Sequence, residues 1–208
     1  MRTEPLHTTP QQGESKWRSA SKGQKISLNK EGKPGLNKVV MGLGWDVVQK
    51  KGFMGFGGGS EEIDLDASVI MFNGTNQPID VVFFRHLQSN DGSIVHSGDN
   101  RTGAGDGDDE QITVDLAKVH PEVKSLVFTV NSFTGQTFEK VQNAKCRLLD
   151  ARDQSEIATF NLSALGNYTA QIMAKLYRHN DEWKMHAIGE MAQGTTFDQL
   201  IPQVVPHL

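Results

Sequence analysis

The chain has 208 residues, 37% of them hydrophobic and 22% charged, with a formal net charge of −4. That length supports one core without forcing a split into several domains, and the acidic balance argues against a nucleic-acid partner held by a general basic surface. No apolar run reaches the ~18–20 residues of a membrane span.

Residues 1–20 carry Pro5 and Pro10 and no hydrophobic period. They are expected to form a disordered or loosely ordered tail, with Trp17 the one large aromatic able to pin it to a domain over 21–208. This N-terminal stretch lacks the apolar segment of a secretory signal. Cys146 is the single cysteine and cannot form an internal disulfide. A cytoplasmic location is the expectation. Cys146 reads as a small buried hydrophobe, with a reactive thiol as the alternative.

Ile26 and Leu28 alternate with polar neighbours, a short strand that ends before Lys33-Pro34-Gly35. Residues 39–45 read as a second strand running into Asp46. The glycine-rich stretch 50–60 reads as a loop; its GFGGGS lacks the Gly-Lys-Ser/Thr ending of a phosphate-binding loop. Phe53, Met54 and Phe56 within it are expected to cover an edge or meet a partner. Residues 63–68 alternate and continue as a strand to Phe72. Asn73-Gly74 then signals a hairpin, with 81–84 as a return strand buried on both faces. Asp91-Gly92 marks a turn before a very short strand at 94–96. Ile112, Val114 and Leu116 alternate, and 126–130, 145–149, 156–162, 170–177 and 183–188 read as further strands. Residues 196–205 and 115–119 are the two stretches with a short-helix reading. About ten short strands without a βαβ rhythm predict a mainly β fold, a sandwich or barrel.

Residues 98–110 read GDNRTGAGDGDDE, with five carboxylates inside twelve residues. Such a density repels itself unless it is fully solvated or holds a cation. The interleaved glycines let the chain curve around a point. Calcium takes six to eight oxygen ligands in flexible geometry, and Asp99, Asn100, Asp106, Asp108, Asp109 and Glu110 offer them. No cysteine or paired histidine lies nearby to favour zinc, and magnesium needs fewer protein ligands. The spacing is not that of an EF-hand. A solvated acidic loop is the competing reading. Asp64 and Asp66 weigh against it, because their i, i+2 spacing puts both carboxylates on one strand face. Asp46 also closes a strand, so acidic groups from several elements are expected to gather at one pole, around one or two calcium ions.

At these residues the sequence resembles the TerD family of tellurium-resistance and stress-response proteins. The resemblance rests on SKGQKISLNKE (21–31), GLGWD (42–46), DLDAS (64–68), GDNRTGAGDGDDE (98–110) and LYRHNDEWKMHAIGE (176–190). It departs at 17–23, where a poor strand stands for an apolar one, and at the Gly/Phe insertion 52–59. The resemblance implies a β-sandwich with short helices and calcium-binding loops at one pole, binding two calcium ions. The metal ligands it implies are Asp64, Asp66, Asp99, Asn100, Asp106, Asp108, Asp109 and Glu110, with Asp46 and the Thr102 backbone as further candidates. It also implies a part in bacterial or phage-defence and stress operons and in tellurite resistance, in complexes that are cytoplasmic or at the membrane periphery.

His96 lies three residues before Asp99 and reads as a loop hydrogen-bonding group, with a ligand role as the alternative. Arg101, inside the acidic loop, is expected to pair with a carboxylate or meet an anionic partner. No Gly-x-Ser-x-Gly elbow, His-Glu-x-x-His helix or Cys-His motif singles out a nucleophile or base. Three functions therefore compete: a calcium-binding stress-response module, a metal-dependent enzyme acting on phosphate-containing small molecules, and calcium-bridged docking to an anionic lipid surface or protein partner.

Overall fold

The computed structural model describes residues 21–28, 35–46, 48–49, 60–61, 63–103, 107–163, 166–180 and 182–208. The tail and the Gly/Phe stretch 50–59 therefore lie outside the described residues, as does Asp106. Two antiparallel sheets face each other. The first has six strands: β1 (Lys25–Ser27), β5 (Leu65–Phe72), β6 (Pro78–Val82), β9 (Ser125–Ser132), β12 (Ala170–His179) and β13 (Glu182–Ala192), in the order β1-β13-β12-β9-β5-β6. The second has five: β2 (Lys38–Asp46), β7 (Ile94–His96), β8 (Glu110–Asp115), β10 (Gln142–Asp150) and β11 (Glu156–Asn161), in the order β11-β10-β2-β8-β7. A two-strand ribbon pairs β3 (Val48–Gln49) with β4 (Ser60–Glu61). This is a β-sandwich, one of the two architectures the strand pattern allowed and the one the resemblance implied, with both sheets sharing one apolar interior.

The period of two does the sorting. On β8, Ile112 and Val114 point inward and are fully buried, while Gln111 is exposed and Thr113 half-buried. On β2, Met41, Leu43 and Trp45 enter the shared core, which leaves Gly42 and Gly44 on the outer face. On β5, Leu65, Ala67, Val69 and Met71 face the core, whereas Ile70 and Phe72 join a second cluster on the outer face. That cluster is covered by α1 (Phe197–Val204), through Leu200 and Val204. The helix at 196–205 is thus borne out. Among the described residues no helix is long and apolar enough to cross a membrane.

Two expectations need correction. The run 81–84 is not a strand buried on both faces. β6 starts at Pro78, stops at Val82, and lies at the sheet edge with only Val82 buried. An edge position tolerates Pro78, which has no N–H to give. Phe83 then turns back on His86 through reciprocal backbone hydrogen bonds of 3.1 and 2.9 Å. Its ring packs on Phe197 of α1 at 4.8 Å, so a helix outside the sheet takes the apolar surface that suggested a second sheet face. Residues 115–119 are a turn, closed by the Lys118 N–H on the Asp115 carbonyl at 3.0 Å. So short a segment does not nucleate a helix by itself, and burying Leu116 and Val119 needs none.

Candidate metal centre

One motif explains how the acidic loop is held. The Leu43 carbonyl accepts the Asp109 N–H at 2.7 Å, and the Trp45 N–H donates to Asp109 Oδ2 at 2.9 Å. The Trp45 indole N–H donates to the Ile63 carbonyl at 2.8 Å, tying β2 to the residue before Asp64. Gly44 lets the Gly107 carbonyl lie close, since a Cβ there would stand 2.6 Å from it. A Cβ on Gly42 would fall inside the Asp108 carboxylate. GLGWD is therefore a cradle: two side chains absent, two backbone groups offered, and one indole bridging to the next element.

Within the loop, Asn100 Oδ1 accepts the N–H groups of Thr102 (3.2 Å) and Gly103 (3.1 Å), and its Nδ2 donates to Asp109 Oδ1 at 2.8 Å. This side-chain turn spends the Asn100 amide on shaping the loop.

Glu110 is wholly buried and spans the two sheets. β6 pairs with β5 only from Val69 onward, so the Ala67 N–H lies beyond its end; Glu110 Oε2 accepts it at 2.9 Å. Glu110 Oε1 accepts the Asn100 N–H at 3.3 Å. His96 is 3% exposed, and its Nδ1 accepts the Gly98 N–H at 3.0 Å. The ring proton therefore sits on Nε2, which faces Glu110 Oε2 at 3.5 Å. His96 is a loop-bonding group, turned inward.

Beside this carboxylate stand three more. Asp64, Asp66 and Asp99 each bring an oxygen to within 4.8 Å of the others. Asp64 leads into β5, Asp66 sits on it, and Asp99 comes from the loop, so the i, i+2 pair and the loop do meet. Asp64 and Asp66 are 9% and 3% exposed, while Asp99 is open to solvent. Asn131, opposite Asp66 on β9, donates to Asp66 Oδ2 at 3.2 Å. Asp64 Oδ1 is buried without a hydrogen-bond partner among the described residues. Burial, then the charges of Glu110 and Asp64, push Asp66 up to about 8. Burial and Asp99 raise Asp64 to about 6, against the pull of Arg101. A buried oxygen without a donor, among carboxylates that resist ionising together, fits a hard divalent cation with oxygen ligands.

The remaining sequence candidates have other partners. Asp108 crosses the outer face of the five-stranded sheet to Arg147 Nε at 2.9 Å. Burial first, then Asp46 and Asp108, hold Asp109 above the usual carboxylate range, against its hydrogen bond from Trp45. Asp46 is exposed and accepts from the Asn143 amide. Arg101 is exposed and acts on Asp64 through its charge. Arg147, Asn131 and Asn143 were not foreseen; each lies 39 to 97 residues from the acid it serves. Cys146 is buried, which pushes its thiol up and leaves it inert.

The raised acids set a pH dependence. An acid whose folded-state pKa lies above its unfolded value gives stability that is complete below the unfolded pKa and lost as pH rises through the folded one. For Asp64 and Asp66 that window runs from the ordinary 3.8 up to about 6 and about 8. In a chelator, the melting temperature is expected to fall from about pH 5 to about pH 8.5. A flat profile across that window would contradict the buried-cluster electrostatics.

A family model described as the TerD domain matches residues 18–203. The tellurium resistance protein TerZ of Serratia marcescens is 44% identical over 188 residues, spanning 90% of this chain and 96% of its own. The stress response protein SCP2 of Bacillus subtilis is 42% identical over 201 residues, spanning 90% and 98%. A crystal structure described as a homologue of telluride resistance protein, from Streptomyces coelicolor, superposes with a TM-score of 0.65 at 23% identity, over 77% of this chain and 92% of that one. At that identity the likeness supports the fold.

Proposed function

The chain belongs to the TerD domain family of tellurium-resistance and stress-response proteins, and from that premise we propose that it is a calcium-binding module of a bacterial stress-response and tellurite-resistance system. The observation that carries the calcium reading is the Asp64, Asp66 and Asp99 convergence around an unpartnered buried oxygen. Those three residues would hold one ion. A second ion would draw on Asp106 and Asp109 of the loop, Asp46 at the end of β2 and the Thr102 backbone. Bound calcium supplies positive charge that offsets carboxylate repulsion.

The protein's own residues do the rest. Trp45 ties the loop to the segment leading into β5, Asn100 shapes it, and Glu110 joins β8 to Ala67 of β5. Asp99 leaves the cluster open to solvent on one side, the direction from which an anionic partner or a phospholipid surface would approach. Partner proteins of the same stress system are proposed on the same ground. Phosphate chemistry would need a base beside the ion, and His96 is turned inward on Glu110. The binding reading is therefore preferred to the enzymatic one, in the cytoplasm or at the membrane periphery.

Calorimetric titration of the chelator-stripped full chain with calcium tests this. Saturable binding is expected, with a stabilisation of about 2.7 kcal/mol at a hundredfold excess over Kd, or roughly 5–10 °C in melting temperature. No heat and no melting shift at millimolar calcium would overturn the reading.

A further inference from the structure

The outer face of the six-stranded sheet carries a second group of charged residues, away from the acid cluster. β1, β13 and β12 pair in a register that puts Lys25 beside His186 and His186 beside Lys175. Their chain neighbours Ile26, Met185, Ala187, Ala174 and Leu176 pack in the shared core, so these three side chains point outward in one row. Val127, opposite Lys175 on β9, belongs to the outer cluster beneath α1. A 3-10 turn after α1, Val205–His207, meets the end of the row, where the Lys175 ammonium donates to the His207 carbonyl at 2.5 Å. The next row, Ser27, Lys184 and Tyr177, adds one more lysine. The acid cluster is elsewhere: Asp66 pairs with Asn131, and Asn131 with Ala170 at the start of β12, two strands from β5.

These cations lack counter-charges. Lys175 is 9% exposed, and a single carbonyl takes one of its three hydrogens. Among the described residues no carboxylate, that of Leu208 included, forms an ion pair with Lys25, Lys175, Lys184, His186 or His207. Neither β1 nor β12 carries an acid. Of the two acids on β13, Glu190 is held by Lys22 at 3.2 Å, and Glu182 lies at the hairpin end opposite His179. The one acid of α1, Asp198, is in its first turn, at the other end from His207. Burial, then Lys25, lowers the pKa of Lys175; burial, then Lys25, Lys175 and His207, lowers that of His186. A chain of net charge −4 thus holds a nine-tenths-buried ammonium among other cations. A buried charge is costly unless an opposite charge offsets it.

We infer that this row binds the phosphate group of a small soluble phosphomonoester, its oxygens shared by Lys25, Lys175 and the His186 ring, beside His207. A phosphate brings up to about two negative charges and three acceptor oxygens, which suits several cationic donors converging from three strands. The recessed position of Lys175 favours a small ligand over a flat bilayer. The inference goes beyond the calcium reading and does not depend on it.

The test uses the metal-stripped full chain, dialysed free of chelator, near pH 6.5 and at constant ionic strength. It is titrated with inorganic phosphate, glycerol 3-phosphate and acetate, and followed by calorimetry and histidine-ring NMR. Both phosphates are expected to saturate, about tenfold or more tighter than acetate. The His186 ring is expected to titrate at higher pH in phosphate than in chloride, because the bound anion favours its protonated form. Lys25→Ala, at an exposed edge position, is expected to weaken phosphate about fivefold with the melting temperature unchanged. Lys175→Met keeps the buried stem and should weaken it about tenfold. No saturation up to about 20 mM phosphate, unchanged affinity in both lysine variants, or a His186 titration indifferent to phosphate would each overturn the inference. So would co-sedimentation with phosphatidic-acid vesicles without binding of either soluble phosphate. Because metal is absent throughout, failure here leaves the calcium titration unaffected, and failure of that titration leaves this result standing.

Discussion

Asp66→Asn is expected to lower calcium affinity by about a hundredfold, or about 2.7 kcal/mol, while raising the melting temperature of the metal-free protein. The two effects share one cause. Asp66 is 3% exposed and lies with Asp64 and Asp99 inside a 4.8 Å group. Asparagine keeps the shape and one carbonyl oxygen, so the Asn131 amide still finds an acceptor, but the charge is gone. Calcium sites are tuned by ligand charge, hence the loss of affinity. Without metal, the same charge is one that burial, Glu110 and Asp64 all oppose, hence the gain in stability. The sign reverses nothing at low pH. The folded Asp66 carboxyl keeps its proton up to about pH 8 while the unfolded one ionises from 3.8, so the two proteins should melt together only below about pH 3.5, and the variant should melt progressively higher from there to about pH 8.5. Asp99→Asn is the control: it is exposed, so it should weaken calcium with little change in metal-free stability. Melts in chelator and in calcium at both pH values decide the matter. A variant that binds calcium like the parent and melts lower at both pH values would remove Asp66 from the proposed site.

The opposing signs follow from where local pattern ends and tertiary pairing begins. Strand alternation was legible because burial acts on every second residue: Ile112 and Val114 announce β8 by themselves. The i, i+2 acids were legible for the same reason, since Asp64 and Asp66 share a face on any strand. Which loop acids would join them was not legible. The five carboxylates between 99 and 110 look alike in sequence, yet Asp99 meets β5, Asp108 is drawn to Arg147, and Glu110 turns inward to Ala67. Arg147 lies directly across from Gly42, a pairing fixed by the β2–β10 register and so by contacts about a hundred residues apart. Phe83 and Phe84 misled for a related reason. Their apolar run signals burial, but only the position of α1 says that the burying surface lies outside the sheet.

The cradle gives the second large effect. Gly42→Ala and Gly103→Ala are each expected to destabilise by about 2–4 kcal/mol, or roughly 5–15 °C in melting temperature. They do so by different routes, and a second substitution separates them. Gly42 lies on a regular strand, where alanine fits the backbone well. The obstacle is the Asp108 carboxylate lying over it. That side chain is 6% exposed and is held by Arg147 at 2.9 Å, so moving it breaks an ion pair. Removing the carboxylate should therefore remove the obstacle: in an Asp108→Ala background, Gly42→Ala is expected to cost less than about 1 kcal/mol more, a strongly non-additive pair. Gly103 has φ +65°, and a Cβ there would meet the Trp45 indole and stand 2.8 Å from the Trp45 carbonyl. The Trp45 carbonyl and the positive φ are both backbone obstacles, so no side-chain truncation should restore it. Trp45 also carries the bond to Ile63, so strain at Gly103 passes to the chain entering Asp64. Gly103→Ala should then weaken calcium binding along with stability, whereas Gly42→Ala, acting through Asp108 on the outer sheet face, should lower stability with a smaller effect on calcium. Equal losses of calcium affinity in the two variants would show that the cradle acts on the cluster as one rigid unit.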